Sequence, residues 1–155
     1  GLLLPTLALA LDAWGMVLLD AQIPPAEGPT PPAGGWFADF VTQLPVEQGR
    51  LPKWSQWWGP GGLDALFPDH WTRDAFEADL PRLRPEWFAD EITTPPWDHL
   101  RVGYIQTSSR FAEQAEDAKA RGWPTTVLTG THLHPFLAGP ETALAISETL
   151  TALAG

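Results

Sequence analysis

The sequence predicts an α/β chain with about three parallel strands. Three apolar runs carry the prediction: "MVLLD" (16–20), "RVGYIQT" (101–107) and "TTVLTG" (125–130). Short runs without polar alternation suit strands covered on both faces. An amphipathic segment, "SRFAEQAEDAKARG" (109–122), separates the last two. Strands alternating with helices imply a parallel sheet with right-handed crossovers.

Composition narrows the function. The chain has 155 residues, about one domain, and is 44% hydrophobic, enough for a core. A net charge of -10 argues against nucleic acid, whose phosphates need Lys and Arg, and against an anionic membrane surface. There is no cysteine, so disulfides, thiol nucleophiles and thiolate metal sites are excluded and the redox compartment stays open. No apolar run is long enough to span a bilayer, and the start lacks a signal peptide's basic region. The expected location is the cytoplasm.

The elements follow in order. Residues 2–13, rich in Leu and Ala, read as a helix apolar nearly all round and therefore buried. Pro5 is tolerable only near a helix start, which puts that start at or just before Gly1. The strand 16–20 ends in Asp20. Residues 21–33, "AQIPPAEGPTPPA", read as an extended Pro-rich connector. Helical pieces are expected near 36–44, 62–67, 70–79 and 85–91, with Asp69 capping the third. Most of the nine tryptophans and seventeen prolines fall between residues 24 and 97. "GRLPKW" and "RLRPEW" read as basic stems packing on surface rings. Gly122 stops the amphipathic helix. After 125–130 comes a loop with His132 and His134. Gly139 and Pro140 then open a helix in which Ala143, Ile146, Leu150 and Leu153 recur at helical spacing. The resulting organisation is 1–23, core helix and strand; 24–98, a mostly helical insertion; and 99–155, core strands, histidine loop and C-terminal helix.

His132 and His134 admit three readings: a catalytic base, a metal pair, or loop histidines. A metal needs a third ligand, for which Asp20 is the candidate. A base suits acyl transfer by a hydroxyl, because a serine is a poor nucleophile at its own pKa and imidazole titrates near neutrality. An acid must then hold the ring, and Asp20 stands at a strand end as such an acid would. Asp20 can equally serve to bind loop amides. His70 and His99 read as structural.

In this order of elements the sequence resembles the C-terminal half of the α/β-hydrolase family over essentially the whole chain. "GLLLPTLALAL" is similar to the helix after the nucleophile elbow, "VLLDAQIPP" to the following strand, and 24–98 to a helical cap. "VGYIQTS", "GWPTTVL" and "GTHLHPFLAGPE" are similar to the last strands and the histidine loop. The resemblance implies an esterase-like hydrolase with His132 as base and Asp20 as acid. Many members carry the acid after the later strand, where this chain has Thr107, Ser108 and Ser109. Haloalkane dehalogenase-like members place it where Asp20 stands.

The four serines, Ser55, Ser108, Ser109 and Ser147, lack a Gly-x-Ser-x-Gly context. Gly1 therefore reads as the tail of an elbow cut from a larger domain, and the chain as a fragment inactive alone, with an open sheet edge beside "MVLLD". The expected substrate is a small apolar or aromatic ester, with Trp36, Trp57, Trp58, Trp71 and His134 as pocket candidates. The open edge calls for the N-terminal half or a second copy as partner. No cofactor and no metal are expected. The alternative is a non-catalytic acidic binding domain with an aromatic surface.

Overall fold

The computed structural model describes residues 1–155. The chain divides into two compact units, Gly1–Thr30 with Ile92–Gly155, and Pro31–Glu91.

The first unit is built on a three-stranded sheet of β1 (Gly15–Leu19), β4 (Arg101–Gln106) and β5 (Thr125–Val127), in the order β1-β4-β5. Both pairings are parallel, as the apolar runs predict. Met16 and Leu18 lie level with Val102 and Tyr104 on one face. They form the core with Trp97 and with Ala115 and Ala118 of α4 (Ala112–Ala120), the helix joining β4 to β5. Small alanines let α4 approach the sheet. Gly122, at φ 74, turns the chain out of it in a backbone conformation that glycine adopts freely.

On the opposite face lies α6 (Gly139–Ala154). A Cβ on Gly103 would run into Thr149 and meet Leu153, so this glycine sets the depth at which α6 packs. The buried face of α6 is Thr142, Ala145, Thr149 and Leu153. The expected apolar stripe shares only Leu153 with it; Ala143 and Leu150 are exposed. Thr142 and Thr149 can be buried because each hydroxyl bonds back one turn, to the carbonyls of Ala138 (3.2 Å) and Ala145 (2.8 Å). Arg101 ties the end of this helix to β4 by donating to the Leu153 carbonyl (2.5 Å).

Helix α1 (Leu4–Ala10) departs from expectation twice. It starts at Leu4, with Pro5 in its first turn, and it is buried along one side only, at Pro5 and Ala8. Leu3, Leu7 and Leu11 are exposed, because within this chain α1 packs on β1 from a single side. β1 pairs with β4 alone, so it is an edge strand of this sheet.

The Pro-rich connector contains a short strand, β2 (Gly28–Thr30), paired antiparallel with β3 (Ile92–Thr94). Pro29 is accommodated because the ribbon has only two strands. Trp97, grouped by sequence with the insertion, belongs to the core of the first unit. It is 1% exposed, and its indole N–H donates to the Pro25 carbonyl at 2.7 Å.

The second unit contains α2 (Trp36–Thr42), α3 (His70–Asp79) and 3₁₀ turns at Trp54–Gln56, Asp64–Leu66 and Pro85–Phe88. Asp69 caps α3 as expected, accepting from the Thr72 amide at 2.7 Å. The core is Val41, Leu51 and Trp57 within a shell of rings, with Phe40 stacked on Trp58 at 5.1 Å. Arg82 is more than a surface stem: its guanidinium donates to the carbonyls of Leu51, Glu47 and Arg50 and closes the unit's loops. Lys53 donates to the Glu77 carbonyl (2.6 Å) at the end of α3, where the helix dipole favours a cation. No helix of the chain is long and apolar enough to cross a membrane.

Candidate functional site

The site grows from the carboxyl ends of the three parallel strands. β1 ends at Leu19, and the next residue, Asp20, has φ 43. That left-handed conformation is uncommon for a residue with a Cβ, though Asp tolerates it better than most. Its amide still bonds to the Ile105 carbonyl (2.7 Å), so the strain is held by the neighbouring strand. The turn lifts the carboxylate out of the strand line and over the end of β4.

There it is surrounded by donors. Oδ1 accepts the amides of Thr107 and Ser108, both at 2.8 Å. Oδ2 accepts the Ser108 hydroxyl at 2.7 Å and lies 2.8 Å from Nδ1 of His132. Asp20 is 1% exposed. Burial pushes its carboxyl up, but the bonds from His132, from the Ser108 hydroxyl and from the two amides outweigh burial and hold it below the ordinary aspartate value. An ionised carboxylate can only accept, so Nδ1 of His132 carries a proton. Nε2 of the neutral ring is then left as an acceptor with no hydrogen-bond partner.

His132 is placed by the loop after β5. The Thr107 hydroxyl donates to the Thr131 carbonyl (2.9 Å), fixing the residue before the histidine to the end of β4. Phe111 lies against the imidazole, with ring centroids 5.4 Å apart. Asp20 is buried while the His132 side chain is 54% exposed, so the imidazole faces solvent and the carboxylate behind it does not. Tyr104 braces the same strand end. Its hydroxyl donates to the Ala21 carbonyl (2.8 Å), and burial pushes its pKa up to about 12, so it stays a donor.

His134 goes elsewhere. It opens α5 (His134–Leu137), is buried, and places Nε2 3.1 Å from Oε2 of Glu141 in the first turn of α6. A Cβ on Gly130 would collide with its ring, so glycine there is a packing requirement. Asp20, His132 and His134 therefore do not form one ligand set, and no group of three or more His, Asp or Glu side chains that could hold a metal occurs in the chain.

The tryptophan candidates are scattered in the second unit. Trp57 is buried, with its indole on the Pro52 carbonyl (2.9 Å), and Trp58 is half-buried. Trp36 and Trp71 are exposed. None of the four lines the unit's 390 Å³ cavity. In the sequence, Thr107 and Ser108 stand out only as the absence of a carboxylate. The available signal was position: hydroxyl residues at the end of a strand paired in register with the strand that ends in Asp20.

Acid stability follows from this geometry. The folded carboxyl of Asp20 titrates below the unfolded value of about 3.9. Its stabilisation is complete above that value and is lost as pH falls through the lower folded pKa. Urea midpoints measured at about pH 5 and about pH 3 should fall more steeply for the wild type than for Asp20→Asn, which lacks the titrating group. Equal slopes would exclude Asp20 as a source of acid sensitivity.

The architecture places the chain in the mixed α/β class, with a three-stranded parallel sheet and six helices. No protein-family model, no curated protein and no solved structure matches it.

Proposed function

We propose that Asp20 and His132 are the acid and base of an α/β-hydrolase-type ester hydrolase. The 2.8 Å contact between Nδ1 and a buried carboxylate, with Nε2 left open on the solvent side, carries this reading. In such chemistry Nε2 takes the proton of a hydroxyl as its oxygen attacks the ester carbonyl. Asp20 stabilises the imidazolium, which then protonates the departing alkoxide. Water repeats the cycle to release the acid. Ser108 is not the attacking hydroxyl in this scheme, because its Oγ is bonded to Asp20. The nucleophile comes from outside these 155 residues, and the chain is inactive alone. The same reading calls for a partner on the open edge of β1, next to the exposed leucines of α1, and for a small apolar or aromatic ester as substrate.

The test reads the coding sequence upstream of Gly1 and assays the joined product on p-nitrophenyl butyrate. An apolar strand ending in Gly-x-Ser-x-Gly, with turnover that disappears in His132→Ala, supports the proposal. A start codon adjacent to Gly1, or turnover indifferent to His132, overturns it. The first of those outcomes favours the second reading, a binding domain, for which the supporting observation is the exposure of Trp36 (57%) and Trp71 (74%).

A further inference from the structure

The second unit holds a cavity of about 390 Å³ between the turns at 54–56 and 64–66 and helix α3. That volume suits a small organic molecule. Its apolar wall includes Leu63, Phe67 and Phe76, the two rings 5.3 Å apart and tilted by 50°. Ser55 also lines it, and the Ser55 hydroxyl is buried without a hydrogen-bond partner. That oxygen presents almost no surface to a water-sized atom, so it is closed to the cavity as well.

The charges give the ligand its sign. Asp64, Arg73 and Glu77 line the cavity. Arg73 is already engaged, with Asp64 at 2.8 Å and Asp74 at 3.0 Å. The Glu77 carboxylate makes no ion pair, since the nearby Lys53 ammonium is bonded to the backbone carbonyls of Glu77 and Ala78. An anion would meet Glu77 with no cation free to balance it. A cation would meet an available carboxylate and aromatic rings that attract positive charge.

We propose that this cavity binds a small organic cation, an ammonium on an aromatic or aliphatic body, with the ammonium at Glu77 and the body against Phe67, Phe76 and Leu63. The site lies wholly within the second unit and is independent of the Asp20–His132 reading.

The experiment titrates the full chain with benzylamine, benzyl alcohol and benzoate at low salt, following backbone amide signals by NMR. Benzylamine should bind about tenfold more tightly than its neutral isostere benzyl alcohol, and benzoate more weakly than either. Saturable shifts should centre on Ser55, Leu63 and Phe76. Glu77→Gln should abolish the preference for the amine while leaving benzyl alcohol binding unchanged. Equal affinities for benzylamine and benzyl alcohol overturn the proposal. So does an unchanged benzylamine affinity in Glu77→Gln, or the absence of saturable shifts up to about 10 mM. If Glu77→Gln fails to fold, the comparison of probes on the unaltered chain decides.

Discussion

Replacing Asp20 with Asn should damage both stability and chemistry. The carboxylate accepts four hydrogen bonds, two at each oxygen. An amide NH₂ in place of either oxygen would point a donor at donors. In one orientation it faces the amides of Thr107 and Ser108; in the other it faces the Ser108 hydroxyl and His132. The expected loss is about 2–4 kcal/mol, read from the urea midpoint. The second orientation is favoured, because the Ser108 hydroxyl and the imidazole can turn acceptor whereas two backbone amides cannot; there the NH₂ donates to Nδ1, which moves the imidazole proton to Nε2 and removes the acceptor that a general base needs. Long-range ¹⁵N–¹H correlation of the His132 ring should show the Nδ1–H tautomer in the wild type and its loss in the variant. In the proposed hydrolase, kcat on an ester should fall on the order of 10⁴-fold. A ring that keeps its Nδ1 proton in the variant, or a kcat that does not move, would remove Asp20 from the acid's role.

Trp97→Ala should produce the largest loss of stability. Trp97 packs with Met16, Leu18, Val102 and Tyr104, and its ring lies 5.9 Å from that of Trp123. Truncation leaves a cavity the size of an indole, and the Pro25 carbonyl loses its donor. The expected cost is about 3–5 kcal/mol. Domains are typically stable by only about 5–15 kcal/mol, so the first unit would stand near its unfolding threshold at room temperature. Trp71→Ala is the control. That residue is 74% exposed, and its removal should change stability by no more than about 0.5 kcal/mol. Equal urea midpoints for the two variants would refute the placement of Trp97 in the core.

The two tryptophans also mark where the sequence was readable. The strands stood out because continuous apolar runs have few alternative explanations, and Asp69 stood out because a cap acts within its own turn. Asp20 and His132 were visible because each follows a strand, and in a parallel sheet strand ends converge. Trp97 was obscured because composition assigned it to its Trp-rich neighbours, whereas its burial depends on a sheet formed by residues distant in sequence. The α6 face was misread because threonine counts as polar until its hydroxyl bonds back along the helix. Ribbon β2–β3 has only three residues per strand, one of them proline, too short for any period to show. The separate paths of His132 and His134 turn on Gly130 and Glu141, which no spacing rule connects to a histidine.

The insertion between the two halves of the first unit bears on how the chain can change over time. Asp20 and His132 are 112 residues apart, and all of Pro31–Glu91 lies in the loop they close. Loop-closure entropy grows only logarithmically, so doubling such a loop costs about 0.6 kcal/mol. Every bond that shapes the carboxylate comes from the two residues after β4 or from the loop after β5, outside the insertion. Residues 31–91 can therefore be lengthened, shortened or exchanged with little thermodynamic consequence for the Asp20–His132 contact, so selection can alter one without dismantling the other.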